Sequence, residues 1–310
     1  MRDVTPVEMA SLLPPGAHGG EGARLAALLQ VAPDEVLDLS ASLNPFAPDV
    51  VGRAAAWLHV LRRYPDASAA TALLAEAIGV GRERVLLTNG GAEAIALLGA
   101  EMGVGRVDDP EFSLYRRHLG ALSDDGPRWR SNPNNPTGLL ADRTERAAVW
   151  DEAFYPLATG TWTRGDADCA VVGSLTKLFA CPGLRLGYVV ADDDLIARLE
   201  RRQPAWSVNG LALAVLPGLL AATDLARWAG DLTKLRDELA ALLRSHGWSP
   251  MRSDASWLLV PGAGDLRNRL ACRGVLVRDC ASFGLRDTVR IAVPGVADLE
   301  RLATALSEPA

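Results

Sequence analysis

The chain has 310 residues, of which 49% are hydrophobic and 23% are charged. This globular balance argues against disorder, and the length suffices for one large two-part domain or two modest domains with a buried core. The formal net charge is −6, and the arginines are scattered along the chain, which argues against a surface for nucleic acid.

Neither a signal peptide nor a membrane span is predicted. The N-terminal stretch MRDVTPVEMASLLPPGAHGG lacks an apolar run of signal-peptide length, and no window approaches the ~18 apolar residues of a membrane span. The four cysteines, at 169, 181, 272 and 280, form no CxxC motif and no Cys/His array with metal spacing. We therefore expect a soluble cytoplasmic protein with reduced, structural thiols, no metal and no membrane partner.

The first part of the chain shows strands that alternate with helices. A strand followed by a Pro-punctuated extended segment is predicted within 33–48, and helices are predicted at 21–30, about 50–61 and about 68–79. A short buried strand, VLLT (85–88), leads into the turn NGG and a helix that begins near Ala92. A strand, a Gly-rich turn and a helix in this order present backbone N–H groups to an anion.

The pattern changes twice further along the chain. Residues 104–150 are less regular, with polar turns around SDDG and the loop SNPNNPTG. Strands are then predicted at 147–150, 169–174 and 186–190, and helices at about 193–203 and 208–221. Beyond about 222 come a long amphipathic helix and strands at 257–260, 275–278 and 289–293. We predict an N-terminal arm (1–40) that packs with the small domain, a large α/β domain (41–221) and a small α+β domain (222–310).

Lys177, in the stretch SLTKLFACPGLRLGYVV (174–190), is unusual because 30 of the 32 basic residues are arginine. A lysine that forms an imine with an aldehyde cannot be replaced by arginine. The alternative is a solvated lysine at a strand end, and Lys234, on an exposed-looking helix face, shows that composition alone does not decide.

The surroundings of Lys177 indicate a phosphate site. Ser174 and Thr176 precede it, and Arg185 follows after a Pro-Gly turn. Hydroxyls and a guanidinium around one point bind phosphate well. Gly90-Gly91-Ala92 adds backbone amides at a helix start, although a plain turn is the alternative there.

Two more residues would complete a cofactor environment. Asp151, at a strand end in DEAF, could pair with a pyridinium nitrogen and keep the ring an electron sink. Asn135, within NPNNPTG, could donate to a ring oxygen. The alternatives are a surface aspartate and a Pro-rich surface turn.

Taken in order, four motifs resemble the signature of fold type I pyridoxal-phosphate enzymes, the aspartate aminotransferase superfamily. They are NPNNPTG (132–138), DEAF (151–154), SLTK (174–177) and PGLRLGY (182–188). The resemblance runs from about residue 16 to 295. It implies pyridoxal 5'-phosphate as cofactor, a large mixed-sheet α/β domain, shortened here, and a small α+β C-terminal domain.

By this resemblance Lys177 forms the Schiff base with the cofactor, Asp151 pairs with the pyridine nitrogen and Asn135 bonds the phenolic oxygen. Phe112 stacks on the ring. Ser174, Arg185 and the amides of Gly91 and Ala92 hold the phosphate. The predicted cofactor-binding residues are Gly91, Ala92, Phe112, Asn135, Asp151, Phe154, Ser174, Thr176, Lys177, Arg185 and Tyr64.

Two of these residues carry further implications. Tyr64, in RRYP, resembles the tyrosine that contacts the phosphate from the neighbouring subunit, which implies a homodimer. Phe154 stands where many relatives have a tyrosine, so the hydroxyl that would bond the phenolic oxygen is absent.

Two branches of the superfamily share most of these motifs. Histidinol-phosphate aminotransferases share RYP, NPNNPTG, S-x-T-K and the C-terminal arginines. Threonine-phosphate decarboxylases of cobalamin biosynthesis share these and add four features found here. They are HGG (18–20), DLSASLNPFAP (38–48), QPAWSVNGLA (203–212) and VRDCASFGL (277–285). The match to the decarboxylase branch is the closer of the two.

The predicted substrate-binding residues are His18, Gly19, Asn44, Asn135, Arg278 and Arg290. In the family the arginine of VRIAV, here Arg290, clamps the substrate α-carboxylate. Arg278 is the natural second anion clamp, and a substrate with a carboxylate and a phosphate needs both. The alternatives are solvated arginines and, for His18, a mobile tail residue.

The implied reaction is decarboxylation of L-threonine O-3-phosphate to 1-aminopropan-2-ol O-2-phosphate, with Lys177 and Asp151 as catalytic residues. An aminotransferase of the histidinol-phosphate type uses the same parts, and the outcome depends on which bond at Cα stands perpendicular to the ring. A third possibility is a cofactor-binding relic without activity, although the retained Lys177 and Asp151 argue against it.

The middle of the chain is short for this superfamily. Pro110 and Pro133 lie 23 positions apart, and Thr137 and Asp151 lie 14 positions apart. We expect one or two elements of the large domain to be missing and the cofactor site to be kept.

Overall fold

The computed structural model describes residues 4–16 and 18–307, so residues 1–3 and 17 of the predicted arm lie outside the described residues. The described helices, in chain order, are α1 (Pro6–Leu12), α2 (Gly22–Leu29), α3 (Val50–Ala55), α4 (Ser68–Ile78), α5 (Gly90–Met102), α6 (Ser113–His118), α7 (Tyr155–Thr159), α8 (Leu175–Leu178), α9 (Asp193–Arg202), α10 (Gly210–Ala221), α11 (Leu225–Ser245), α12 (Leu266–Ala271) and α13 (Val296–Ser307).

The described strands are shorter on average than the helices. They are β1 (Leu37–Asp38), β2 (Val85–Asn89), β3 (Val104–Val107), β4 (Ala121–Leu122), β5 (Arg128–Ser131), β6 (Val149–Asp151), β7 (Ala170–Ser174), β8 (Leu186–Val190), β9 (Trp257–Pro261), β10 (Val275–Leu276), β11 (Arg278–Asp279) and β12 (Thr288–Ala292).

The chain divides into two compact units. The large unit contains residues 46–135 and 140–230, and the small unit contains the described residues of 1–45, 136–139 and 231–310.

A seven-stranded sheet in the order β2-β8-β7-β6-β5-β3-β4 forms the centre of the large unit. Its neighbours pair in parallel except for β8, which runs antiparallel to both β2 and β7. The central strands β7 and β8 are almost entirely buried, as their apolar runs AVVGS and LGYVV predict for strands covered on both faces. The sheet is therefore mixed, which confirms the predicted fold of this domain.

Helix α5 packs against the sheet and forms the main core of the large unit. Its apolar residues lie among side chains from the sheet and from α6 and α9; the core includes Leu86, Ile95, Leu98, Tyr115, Trp129, Val172, Val189, Ile196 and Leu199. Because α5 is held firmly by this core, the position of its first residue, Gly90, is set by the sheet.

The small unit has separate sheets and its own core, as expected of an α+β domain. Strands β11-β12-β9 form an antiparallel sheet, and β1 pairs in parallel with β10. A core cluster joins α1, α2 and α12 through Met9, Leu13, Leu25, Leu29 and Ala271.

Residues 104–150 are more regular than the sequence pattern predicts. They contain β3, α6, β4 and β5 and the first part of β6. The pattern was obscured because β5 (RWRS) alternates buried residues with half-buried arginines, and those arginines form ion pairs with Glu111, Asp108 and Glu145. Between Thr137 and β6 the structure has no helix or strand among the residues that it describes. The shortened region therefore retains the strands that end at the predicted site.

Two further predictions concern the whole chain. Among the described helices, none alone is long and apolar enough to cross a membrane; α10 and α11 meet the length and composition criteria only as a pair bent by 84°. All four cysteines are free thiols, as predicted.

Candidate active site

Except for Tyr64, the predicted cofactor residues of the large unit lie at one edge of its sheet. The parallel strands β5, β6 and β7 bring Ser131, Asp151 and Val172 into register as neighbouring Cα partners. Ser174 ends β7 two residues further on. Carboxyl ends of parallel strands form the usual ligand edge of an open α/β sheet. The tertiary structure thus brings together motifs that are far apart in sequence.

Lys177 lies in the short helix α8, directly after β7, and is half-buried. Its Nζ is 5.9 Å from the centre of the Phe154 ring, and Phe154 itself is buried. An amine beside an aromatic face and close to a sheet edge is placed where an aldehyde can approach it.

A small cradle forms where α5 begins. Gly90 has φ +75°, and a Cβ there would lie 2.4 Å from Nη2 of Arg185. Gly187 lies close to Gly90, because a Cβ added at Gly187 would lie 2.5 Å from the backbone carbonyl carbon of Gly90. Arg185 itself adopts φ +53°. Only glycines leave room for this approach of a guanidinium to a helix N-terminus.

This cradle fits a phosphate group. The half-buried residues Gly91 and Ala92 follow Gly90 in the first turn of α5, where backbone N–H groups lack carbonyl acceptors within the helix. Arg185 adds a charged fork from an exposed position. The donor set of amides and a guanidinium is the one that binds phosphate monoesters.

The two hydroxyl residues near Lys177 differ in their positions. Ser174 is half-buried at the N-cap of α8 and makes no capping hydrogen bond through its side chain. Thr176 is buried, and its Oγ1 donates to the carbonyl oxygen of Leu186 at 3.4 Å. Ser174 is therefore the better placed of the two for a ligand, whereas Thr176 fastens α8 to β8.

Asp151 is buried at the end of β6 and accepts two hydrogen bonds. Tyr115 Oη donates to its Oδ2 at 2.7 Å, and the N–H of Ala153 donates to its Oδ1 at 3.0 Å. Burial raises the pKa of the Asp151 carboxyl, and both hydrogen bonds oppose that rise. A protonated ring nitrogen beside this carboxylate would offset the cost of burying the charge.

Phe112 and Asn135 flank the same strand ends. Phe112 is half-buried, and its ring meets that of Tyr115 edge to face at 5.8 Å. Asn135 is half-buried, and its backbone N–H donates to Ser131 Oγ at 2.7 Å. The rings and amides of this edge suit a planar heteroaromatic cofactor with a phosphate arm, so the residues present fit pyridoxal phosphate.

Tyr64 lies on the surface of the large unit. Its side chain is 79% exposed, and its ring lies 4.5 Å from the ring of Trp206, which is also exposed. Within its own chain, the described contact of the Tyr64 ring is therefore with Trp206 at the surface and not with the phosphate cradle.

In the small unit Arg278 and Arg290 lie directly opposite each other on the antiparallel strands β11 and β12. Both are buried. Arg290 lies over the Trp257 ring at 4.8 Å and donates to the carbonyl oxygen of Ser40 at 3.4 Å. Burial, together with the neighbouring charge of Arg278, lowers the pKa of Arg290 to about 10. Two adjacent buried cations favour an anionic ligand.

The HGG segment packs against the same part of the small unit. His18 and Gly19 line a small pocket together with Ser40 and Arg278. A Cβ at Gly19 would lie 2.3 Å from the carbonyl oxygen of Ser40, so only glycine allows this approach. His18 is exposed, whereas Asn44 is buried. His18 and Gly19 thus come close to Arg278, and Asn44 does not line this pocket.

Sequence reasoning missed three residues near the cofactor motifs: Tyr115, Ser131 and Glu111. Tyr115 contacts Asp151, and Ser131 links the carboxylate of Glu111 to the backbone of Asn135. A faint signal existed for Tyr115, because it lies three positions after Phe112 at helical spacing. The bond between Glu111 and Ser131 joins residues 20 positions apart and left no local pattern.

Comparison with known proteins gives a consistent result. Residues 129–306 match the family model described as aminotransferase class I and II. The chain is 32% identical to the threonine-phosphate decarboxylase of Salmonella typhimurium, over 94% of this chain and 95% of that protein. It is 30% identical to the histidinol-phosphate aminotransferase of Halobacterium salinarum, over 89% of this chain and 91% of that protein.

The alignment with the decarboxylase spans 349 positions, more than the 310 residues of this chain, because the relative has residues that this chain lacks. Among solved structures, the histidinol-phosphate aminotransferase of Sinorhizobium meliloti in complex with pyridoxal-5'-phosphate superposes with a TM-score of 0.77. The match covers 96% of this chain and 95% of that one at 17% identity, which shows the shared fold. The chain therefore belongs to the aminotransferase class I and II family, whose relatives named here are pyridoxal-phosphate-dependent enzymes.

Proposed function

We propose that this chain is a pyridoxal-phosphate-dependent lyase that decarboxylates L-threonine O-3-phosphate to 1-aminopropan-2-ol O-2-phosphate, a step in cobalamin biosynthesis. Support comes from the similarity to the Salmonella decarboxylase over nearly the whole chain. The observation that carries the choice of substrate is the pair of buried arginines, Arg278 and Arg290, on adjacent strands. A ligand with a carboxylate and a phosphate would neutralise both.

The roles of the arginines follow from their surroundings. The guanidinium of Arg290 is oriented by the Trp257 ring and the Ser40 carbonyl, which suits a fixed carboxylate fork. Arg278 borders the pocket of His18 and Gly19, and His18 adds a donor from the surface. We therefore assign the substrate carboxylate to Arg290 and the substrate phosphate to Arg278 and His18, with Asn44 and Asn135 as further substrate-binding residues.

The large unit would supply the cofactor site. Arg185, Ser174 and the amides of Gly91 and Ala92 would hold the cofactor phosphate, and Phe112 and Asn135 would hold the ring. When bound, pyridoxal phosphate supplies an electron sink for the bond that breaks at Cα. Asp151, with Tyr115 behind it, would hold the proton of the ring nitrogen. Lys177 would bind the cofactor covalently and, once released by the substrate amine, return a proton to Cα.

The second candidate is an aminotransferase of the histidinol-phosphate type, which the similarity to the Halobacterium salinarum enzyme favours. It would use the same residues, with Lys177 moving a proton from Cα to the cofactor carbon C4′. The two activities differ in the bond that is held perpendicular to the ring.

The test is a paired assay on the purified protein supplied with pyridoxal phosphate. One reaction contains L-threonine O-3-phosphate, and released CO₂ and the product amine are measured. The other contains histidinol phosphate and 2-oxoglutarate, and glutamate is measured. We expect the wild type to release CO₂ in the first reaction and to form no glutamate in the second. We expect no CO₂ from Lys177→Ala. Glutamate without CO₂ would establish the aminotransferase instead, and a protein that binds the cofactor without turning over either substrate would be a non-catalytic relic.

We further propose that the protein acts in the cytoplasm as a homodimer in which Tyr64 contributes to the phosphate site of the neighbouring subunit. The exposure of Tyr64 and of Trp206 beside it supports a role outside its own subunit, because large exposed aromatic side chains are common at protein interfaces.

A further inference from the structure

Glu111 is a buried carboxylate that none of the motifs accounts for. It directly precedes Phe112, and its side chain is only 1% exposed. Its Oε1 accepts from Arg130 Nη1 at 3.2 Å, from Asn134 Nδ2 at 3.0 Å and from the N–H of Ser131 at 3.1 Å. Buried carboxylates are costly unless they are paired, so this one calls for a role.

The second oxygen of Glu111 controls the hydroxyl of Ser131. Ser131 Oγ donates its single proton to Oε2 of Glu111 at 2.5 Å. With its proton committed, the oxygen of Ser131 has only lone pairs for other partners. One of them accepts the backbone N–H of Asn135 at 2.7 Å. The carboxylate of Glu111 therefore orients the hydroxyl that holds Asn135.

The neighbours of Glu111 that the structure records are all donors. They are Arg130, Ser131, Asn134 and the backbone N–H of Phe112. The negative charge of Glu111 is one of the causes that raise the pKa of Tyr115. Burial raises the pKa of Glu111 to about 7, while the bonds from Ser131 and the charge of Arg130 oppose that rise. If a glutamine replaced Glu111, its side-chain N–H₂ group would take the place of an oxygen that now accepts hydrogen bonds, so two donors would lie against each other.

We propose that Glu111 is a positioning residue which, through Ser131, sets the backbone of Asn135 and so presents its side-chain amide to the phenolic oxygen of the cofactor. This rests on the role proposed above for Asn135. It does not depend on whether the enzyme decarboxylates or transaminates, because both reactions would use the same cofactor contact.

The first test measures the protein itself. Hydrogen exchange of the loop 131–138 is followed by mass spectrometry on the full chain, with and without pyridoxal phosphate. The loop contains prolines at 133 and 136, so six amides contribute to the signal, and the N–H of Asn135 is one of them. Without cofactor we expect about tenfold faster exchange in Glu111→Gln and in Ser131→Ala than in the wild type.

The second test reads the cofactor contact. A donor to the phenolic oxygen competes with the proton of the Lys177 linkage, so its loss raises the pH midpoint of the visible absorbance change. We expect both variants to show this higher midpoint and about tenfold weaker binding of pyridoxal phosphate. A purely structural loss of stability would not move the midpoint.

Glu145→Gln is the matched control. Glu145 pairs with Arg128 and Arg130 in the same charge network but does not contact Ser131, so we expect wild-type exchange and midpoint. Wild-type exchange and midpoint in both Glu111→Gln and Ser131→Ala would overturn the proposal. If one of the two variants does not fold, the same result in the other variant would overturn it. A wild type that binds no pyridoxal phosphate would refute the proposed function instead, while the exchange measurement would still decide the role of Glu111.

Discussion

Tyr115 Oη donates a hydrogen bond to Oδ2 of Asp151 at 2.7 Å, and both side chains are buried. The hydroxyl stabilises the charged form of the carboxylate, which burial alone would disfavour. The pair joins α6 to the end of β6 across 36 positions of sequence. In the proposed site, Tyr115 would therefore act on the cofactor through Asp151.

Tyr115→Phe is expected to remove this donor while keeping the ring. The pKa of Asp151 should rise further, and the free energy of unfolding should fall by about 1.5–3 kcal/mol, the usual loss for a hydrogen bond to a charged group. Urea unfolding and titration with pyridoxal phosphate measure the two effects. Tyr188→Phe is the control, since Tyr188 is a buried tyrosine that does not bond Asp151. Equal cofactor affinity in the wild type and Tyr115→Phe would show that the hydroxyl does not support the site.

The scarcity of lysine makes the covalent site unusually easy to test. The chain has only Lys177 and Lys234, and Lys234 is exposed and pairs with Asp231. Borohydride reduction of the protein with pyridoxal phosphate should attach one label, at Lys177, as read by peptide mass spectrometry. Lys177→Ala should be colourless and unlabelled, whereas Lys234→Ala should resemble the wild type. Label on Lys234, or an unlabelled wild type, would contradict the assignment.

Gly90→Ala should damage the phosphate cradle. The new Cβ would lie 2.4 Å from Nη2 of Arg185, and φ at this position is +75°. We expect at least about tenfold weaker cofactor binding, corresponding to ~1.4 kcal/mol. Gly79→Ala is matched for backbone strain, because Gly79 has φ +85° but open space around its Cβ position. It should lower the free energy of unfolding and leave cofactor affinity unchanged; a similar loss of affinity in both variants would argue against the cradle.

Subunit complementation tests the proposed role of Tyr64. If Tyr64 serves the neighbouring site, mixing inactive Lys177→Ala with weakened Tyr64→Ala subunits should restore activity. Each mixed dimer would then contain one intact site, so a random mixture recovers about a quarter of wild-type turnover. Activity that stays at the level of the separate variants after exchange of subunits would show that Tyr64 acts within its own chain or not at all.

Glu152 should make stability depend on pH. Burial raises its pKa from 4.5 to about 7 in the folded protein. Between these values the folded protein keeps a proton that the unfolded chain has lost, so the free energy of unfolding falls as pH rises through this window. The loss attributable to Glu152 is on the order of 3 kcal/mol.

Glu152→Gln should flatten this part of the pH profile, measured by urea unfolding at intervals between pH 4.5 and 8. Some slope should remain, because the pKa of Glu111 is also raised to about 7. A slope equal to that of the wild type would show that Glu152 is not protonated in the folded protein at low pH.

Much of the fold could be predicted from local patterns. The apolar runs of β2, β7 and β8 and the helical spacing of α4, α9 and α10 placed these elements within a few residues. Strand β3 was missed because it is short and alternates exposed with buried residues. Strand β5 was missed because its half-buried residues are arginines, which pair with Asp108, Glu111 and Glu145. A residue pattern reports burial well only where one face of an element is apolar.

By itself, the sequence determined which side chains are able to do chemistry: an amine at Lys177, a carboxylate at Asp151, and guanidinium groups at Arg185, Arg278 and Arg290. These identities depend on covalent structure alone. The tertiary structure decided what surrounds them. Tyr115 meets Asp151, and Glu111 meets Ser131, because the segment after β3 contacts the ends of β5 and β6, which the parallel register places side by side. Hydrogen bonds between distant elements depend on that register, and no local pattern records it.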